Sequence, residues 1–289
     1  VSFPKALAGA ARLVQGRLDA ALEDRAEEPV VEAMRYAVQG GKRLRGFLVV
    51  ESAALFGVPP ERAVSAAAAV EALHAYSLVH DDLPCMDDDD LRRGQPTVHV
   101  KWDEATAVLA GDALQALAFE LLSDPALGLA ERRVELIASL ARAAGAEGMV
   151  LGQALDIAAE EARAPLTLDQ ITRLQAGKTG ALIVWSAQAG ALLAGADPAP
   201  LGRYAQALGL AFQIADDLLD VEGDAGKAGK RLRKDAGAGK ATFVSLLGVE
   251  GARARARALV DEASAALAPY GGRTQTLIEA AEFVISRER

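Results

Sequence analysis

Apolar positions along this chain recur at intervals of three and four instead of alternating, so the pattern predicts helices from end to end. Leu7, Leu13 and Leu18 stand among scattered charges and predict an amphipathic helix over residues 1–24. A second segment opens after Pro29 with Val30, Val31, Met34, Tyr36 and Val38, and stops at Gly40-Gly41. Phe47–Phe56 and the almost wholly apolar Ala63–Val79 follow. Further runs cover Asp103 to Leu122, closed by Asp124-Pro125, then Ala130–Ala144 and Gly148–Glu161. Thr167, with Gln170 three residues on, has the signature of a helix start. That helix carries Gly177-Lys178-Thr179-Gly180 in its middle, where each glycine costs roughly 1 kcal/mol against alanine. A kink that aims Lys178 into a cavity is expected there.

From Thr179 to Ala196 no charged residue occurs. The Ala, Gly, Ser and Gln content of this span predicts a central helix buried on all sides and not a membrane crossing. Ala199–Ala215 is the next helix, and two or three more, through Leu247, Leu259, Leu267 and Ile278, complete the chain. Between them, Glu222–Lys240 lacks apolar periodicity and predicts a mobile basic loop with Lys227, Lys230, Lys234 and Lys240.

Composition narrows this picture. The chain has 289 residues, 51% hydrophobic and 25% charged but only 4% aromatic. Its many alanines favour helix. With no internal repeat, the chain reads as one all-α domain over residues 1–289. A net charge of −9 argues against a nucleic-acid partner, which needs a basic face. Cys85 is the only cysteine, which excludes an internal disulfide and fits a reducing, cytoplasmic compartment. Beside carboxylates its thiolate is disfavoured, and it is expected to serve packing. The N-terminal Val1-Ser2-Phe3-Pro4-Lys5 lacks a secretory pattern, and as the chain does not begin with Met, a short native segment is expected ahead of it.

Chemistry concentrates in Asp81-Asp82-Leu83-Pro84-Cys85-Met86-Asp87-Asp88-Asp89-Asp90-Leu91-Arg92-Arg93-Gly94. So many like charges repel unless a cation sits among them. Mg²⁺ takes oxygen ligands and is commonly shared between carboxylates and substrate phosphates, while arginines hold phosphate oxygens directly. The competing reading is an acidic loop that closes a helix. His74 and Ser77 precede Asp81 by seven and four residues and fall on its face of the helix, His74 to within about 20°. Gly40-Gly41-Lys42-Arg43-Leu44-Arg45-Gly46 suits a phosphate, through backbone N–H groups and charge, but read alone it better fits a helix C-cap with basic residues. Asp112 lies in apolar surroundings and is expected to pair with a cation. A second acidic cluster, Asp216-Asp217-Leu218-Leu219-Asp220, places Asp216 and Asp220 on one helical face with Gln213 a turn earlier. Gln153 and Asp156 likewise share a face.

These motifs, in this order and spacing, resemble those of the trans-isoprenyl diphosphate synthases of the bacterial farnesyl diphosphate synthase type. Asp81-Asp82 with Asp87 and Leu91-Arg92-Arg93-Gly94 match the first aspartate-rich motif, and Phe212-Gln213 with Asp216-Asp217 and Asp220 match the second. Gly41-Lys42-Arg43-Leu44-Arg45, Gly152-Gln153 with Asp156, and Lys178-Thr179-Gly180 match the remaining blocks, so that the resemblance covers nearly the full chain. It implies an isoprenoid-synthase-type bundle of antiparallel helices around a deep central cavity, a homodimer, and Mg²⁺ as cofactor, three ions per active site, with Mn²⁺ able to substitute.

The resemblance also implies roles. Asp81, Asp82 and Asp87, with Asp216, Asp217 and Asp220, would hold the metal. Arg92, Lys178, Thr179, Gln213, Lys230 and Lys240 would surround the allylic diphosphate, with Lys178, Thr179 and Gln213 assisting catalysis. Lys42, Arg45, His74 and Arg93 would hold isopentenyl diphosphate. Ionisation of the allylic C–O bond leaves a carbocation and a diphosphate anion, so leaving-group charge must be stabilised. The isopentenyl double bond then attacks, and a proton is lost, with the released diphosphate as the expected acceptor.

Tyr76 and Ser77 stand where the family forms the floor of its chain pocket, about 6–8 Å below the metal carboxylates. A bulky Tyr76 implies a C15 product; geranyl and geranylgeranyl diphosphate synthases are the alternatives. The chain departs from the family pattern at Gly46, where proline is common, at Phe243-Val244 in place of Tyr-Pro, and in the basic segment that leaves Lys230 or Lys234 as the contact. A terpene cyclase would want Ser or Thr and then Glu where Asp220 and Asp224 stand, and would have no use for Lys42, Arg45 and Arg93. A non-catalytic partner subunit typically loses an aspartate motif, and a calcium loop from Asp87 fails because Val98 occupies its twelfth position.

Overall fold

A computed structural model describes residues 2–160, 164–222 and 242–286. The expected helices are present with small shifts at their ends. They are α1 (Phe3–Glu23), α2 (Pro29–Ala37), α3 (Leu44–Leu55), α4 (Pro60–Asp81), α5 (Val98–Lys101), α6 (Glu104–Leu122), α7 (Ala130–Ala144) and α8 (Met149–Glu160), and then α9 (Leu168–Gln175), α10 (Ala181–Ala194), α11 (Ala199–Glu222), α12 (Phe243–Ala266) and α13 (Gln275–Ser286). The sequence periodicity did not predict the one ladder among the described residues, β1 (Leu91–Arg92) with β2 (Gln95–Pro96). The predicted basic loop, with Lys227, Lys230, Lys234 and Lys240, lies outside the described residues.

The chain forms two compact units, Val1–Leu140 with Ala189–Asp197, and Ala141–Gln188 with Pro198–Arg289. In the first, α1 buries Phe3, Ala10, Val14, Leu18 and Leu22, a stripe at nearly four-residue spacing that leaves Leu13 exposed. Ala66, Ala67, Ala68 and Ala69 of α4 are fully buried, because a helix with methyl side chains lets neighbouring helices approach on several sides. The segment after residue 188 closes on α3: Gly190 N donates to Ser52 Oγ at 3.2 Å, and a Cβ on Gly190 would lie 2.2 Å from Ala53 N. In the second unit, Tyr204 of α11 is fully buried and its hydroxyl donates to Leu277 O of α13 at 2.8 Å.

One helix among the described residues, α6, is long and apolar enough to cross a membrane. It buries Ala107, Ala110, Gly111, Leu114, Leu117, Ala118, Leu121 and Leu122, as a packed core helix does. The charge-free α10, at 14 residues, is too short for the purpose. Two expectations are corrected. Asp112 is exposed, so water solvates its charge and no cation is required. Cys85 is also exposed, on the turn after α4, and serves no packing role.

Arg43 and Glu71 form an ion pair whose side chains are 4% and 5% exposed. Glu71 also accepts the Gly46 N–H at 2.9 Å, and Arg43 donates to Val38 O. Gly46 is thus a donor at a position where the family's frequent proline has none. Glu71→Gln should cost about 3–5 kcal/mol, since it leaves a buried guanidinium without its counter-charge. Urea unfolding reads this directly, and a midpoint equal to wild type would refute it.

Candidate active site

The first unit carries the first aspartate-rich motif and the basic loop. Asp81 ends α4, and the chain then folds back: Met86 N bonds Leu83 O at 2.8 Å and Asp87 N bonds Asp81 O at 2.8 Å. That turn returns Asp87 to Asp81 across the intervening residues. Asp82 points the other way. It is 3% exposed, and Arg92 Nε donates to both of its oxygens at 2.9 Å. Burial holds the Asp82 carboxyl above the usual range while Arg92 opposes it, and Asp89 and Asp87 add to the rise. Arg92 is placed by the hairpin, whose two-residue loop Arg93-Gly94 has φ of 55° and 74°, the positive pair of a type I′ turn.

The non-glycine residues with positive φ among the described residues are Arg43, Asp88 and Arg93, all in the two loops that carry site candidates. Such cost is tolerated where the surroundings dictate the conformation, commonly at functional sites. Gly41 lies under the Arg93 guanidinium, where a Cβ would come within 2.7 Å of Nη2, and Arg93 Nη1 donates to Gln39 O at 3.1 Å. The basic loop and the hairpin therefore meet.

Electrostatics define what they meet for. Burial lowers the Arg45 pKa, with Glu71 opposing and Arg93 adding to the fall, and Arg45 Nε is enclosed without a hydrogen-bond partner. Burial likewise lowers Arg93, and Arg43 contributes. His74 is driven well below its ordinary value by burial and then by Arg45, Arg93, Arg92 and Arg43, so the imidazole is neutral at pH 7. Arg43 and Arg92 have counter-charges in Glu71 and Asp82, whereas Arg45, with its orphaned Nε, and Arg93 lie near the neutral ring and suit an anion.

The shift of His74 has a consequence for stability. Below about pH 6.5 the unfolded histidine takes up a proton that the folded one refuses. This group's contribution is therefore lost as pH falls from 7 through 6.5 and toward the folded pKa. His74→Asn should flatten the loss of stability between pH 7.5 and 5.5, measured by urea unfolding at each pH. An unchanged difference between the two pH values would count against a neutral, cation-surrounded His74.

The second unit carries the second aspartate cluster and the lysine block. Thr167 and Gln170 form the predicted capping box, and α9 then passes into a π-helical turn, Ala176–Gly180, the bend expected from Gly177 and Gly180. Such turns frequently mark functional sites. Here the turn presses on α8, where Gly152 faces the Lys178 backbone so closely that a Cβ would lie 1.9 Å from Lys178 N. Lys178 Nζ then reaches Asp156 Oδ2 at 2.6 Å, one partner that the spacing of Gln153 and Asp156 did not reveal. Gln213, Asp216, Asp217 and Asp220 lie half-buried on the last turns of α11. Asp217 accepts the Phe243 N–H at 2.7 Å and so caps the start of α12, a role the sequence reading missed.

Lys42 is exposed on its loop, Thr179 lies in the π turn, and Ser77 Oγ donates to His74 O at 2.8 Å. Lys230 and Lys240 are outside the described residues. A cavity of about 550 Å³ in the second unit, walled by Arg142, Gln175, Gly180, Val184, Gln206 and Leu210 among others, is lined by none of the expected site residues. Among the described residues no three His, Cys, Asp or Glu side chains form a ready-made metal cage. Mg²⁺ rarely uses such a cage and is held by one or two carboxylates together with substrate phosphates. Asp81 lies close enough to Arg92 to act on it electrostatically, and its carboxylate oxygens fit that mode.

A model of the polyprenyl synthetase family matches residues 27–269. The chain is 50% identical over 272 residues to the farnesyl diphosphate synthase of Escherichia coli, covering 90% of each, and 43% identical over 289 residues to that of Haemophilus influenzae, covering 95% and 96%. Its fold is similar to that of an apo FPP/GFPP synthase from Zymomonas mobilis, with a TM-score of 0.89, 47% identity and 98% coverage of each chain. The chain belongs to the polyprenyl synthetase family and is a prenyl-transferring enzyme of all-α fold.

Proposed function

We propose that this enzyme condenses isopentenyl diphosphate with dimethylallyl and then geranyl diphosphate to give farnesyl diphosphate, as a single catalytic domain and with Mg²⁺. The observation that carries the reading is the unpartnered Arg45 Nε with Arg93, which packs on Gly41 of the basic loop, both near neutral His74, and the hairpin that sets Arg92 on Asp82. Lys42, Arg45, His74 and Arg93 bind isopentenyl diphosphate through charge-assisted hydrogen bonds. Neutral His74 adds a donor without adding to the repulsion among the arginines.

Asp81 and Asp87 in the first unit, and Asp216, Asp217 and Asp220 in the second, would be the ligands of the metal, three ions in all, and Asp82 keeps Arg92 in place. Bound Mg²⁺ supplies Lewis-acid stabilisation of the diphosphate leaving group. Arg92, Lys178, Thr179 and Gln213, with Lys230 and Lys240, orient the allylic diphosphate, and Asp156 directs the Lys178 ammonium. Exposed Val108 and Leu109 on α6 supply an apolar face that supports a homodimer, and the lone reduced-type cysteine supports a cytoplasmic location.

Tyr76, 7% exposed, stands below the carboxylates as the stop for a C15 chain. Radiolabelled isopentenyl diphosphate with C5, C10 or C15 allylic diphosphates and Mg²⁺ tests the reading. Wild type should stop at C15, and Tyr76→Ala should extend to C20. No chain extension from any primer would sink the enzyme reading, and a wild-type C20 product would sink the C15 assignment.

A further inference from the structure

Tyr76 does not hold its own position. Its ring meets His80 edge-on, with centroids 5.5 Å apart and planes at 86°. His80 is fixed in turn by Nε2 at 3.0 Å from Val108 O. The carbonyl only accepts, so Nε2 carries the proton. Gly111 makes this seat possible, since a Cβ there would fall 2.1 Å from Nε2 and 2.4 Å from Cδ2 of His80. Tyr76 and His80 are one turn apart on α4, and Val108 and Gly111 share one stripe of α6.

We infer that Gly111 and His80 are positioning residues for product length, a clamp by which α6 holds the Tyr76 ring across the path of the growing chain. The inference rests on the assignment of Tyr76 as the chain stop. An aromatic ring on a solvated helix would swing among rotamers, and a stop that swings sets no sharp length. Here the ring is buried and meets His80, and His80 is tied to α6 through the Val108 carbonyl. The clamp lies on the face of α4 occupied by Tyr76 and His80, so its loss should leave diphosphate binding intact.

Product distribution tests this, because a merely structural role would lower activity without changing chain length. His80→Phe removes the hydrogen bond to Val108 O and keeps an aromatic ring. The C20:C15 ratio should rise on the order of tenfold, the change that loss of one hydrogen bond produces, while the rate of the first condensation on a C5 primer stays near wild type. Gly111→Ala should shift the ratio the same way by displacing His80, with thermal unfolding as a check that it folds. In a Tyr76→Ala background, His80→Phe should add nothing further, since the two act through one ring. Lengthening by Tyr76→Ala with wild-type ratios in both His80→Phe and Gly111→Ala would overturn the clamp alone. Unchanged length in Tyr76→Ala would overturn the clamp together with the stop it serves.

Discussion

Asp81→Asn is expected to lower kcat by about 10³-fold at saturating Mg²⁺, while Asp88→Asn stays within about twofold of wild type. Both residues belong to the same acidic run, and both changes remove one charge at nearly constant volume. They differ in place. Asp81 ends α4 against the turn that returns Asp87 to it, whereas Asp88 is exposed at φ 51°, a conformation asparagine adopts readily. The neutral amide at 81 is a poor ligand for a hard cation, so the charge that develops on the leaving diphosphate loses its stabilisation in the transition state. Asp216→Asn is expected to behave like Asp81→Asn. Steady-state kinetics across a Mg²⁺ titration decide the matter. Equal activities for the Asp81 and Asp88 variants would show that the run acts only through its summed charge.

Gly152→Ala should be the most damaging single-methyl change in the second unit, costing about 3 kcal/mol or more. The added Cβ would meet Lys178 N at 1.9 Å, and Gly177 C and Lys178 Cα at 2.6 Å. These are backbone atoms of the π turn and cannot rotate aside. The turn must move, and Lys178 moves with it away from Asp156. Gly209→Ala is the matched control, since its Cβ would find its nearest atom, Gly180 Cα, at an ordinary 3.5 Å. Alanine in a helix regains about 1 kcal/mol of propensity, so that variant should unfold at or slightly above the wild-type urea midpoint. If Gly152→Ala matched it, the close packing of α8 on the π turn would be disproved.

Local signals were the legible ones. Thr167 and Gln170 announced a capping box, and the structure has one, because its partners lie three residues apart. Gly177 and Gly180 announced a break in a helix, and a π turn occupies the place. The hairpin at Arg92 to Gln95 escaped notice because two-residue strands carry no periodicity. Its only signal is a residue–glycine pair at the tip. Asp112 and Cys85 were misread for a common reason. The pattern assigns a helix its apolar face, but which other surfaces find a neighbour depends on segments far along the chain.

The sequence by itself determined the class of the protein: helix after helix, two aspartate clusters, and cations on glycine-bearing loops in the order of one family. Those features are set by residue type and short spacing, and each survives without knowledge of the packing. Only the tertiary structure decided the division of labour among like residues. Arg43 is spent on Glu71, 28 positions away, while Arg45 keeps an unpartnered donor. Asp82 serves Arg92, and Asp217 caps a helix that begins 26 residues later. Tyr76 is held from α6. A carboxylate or guanidinium has the same charge wherever it stands, and its role follows from what folding places against it.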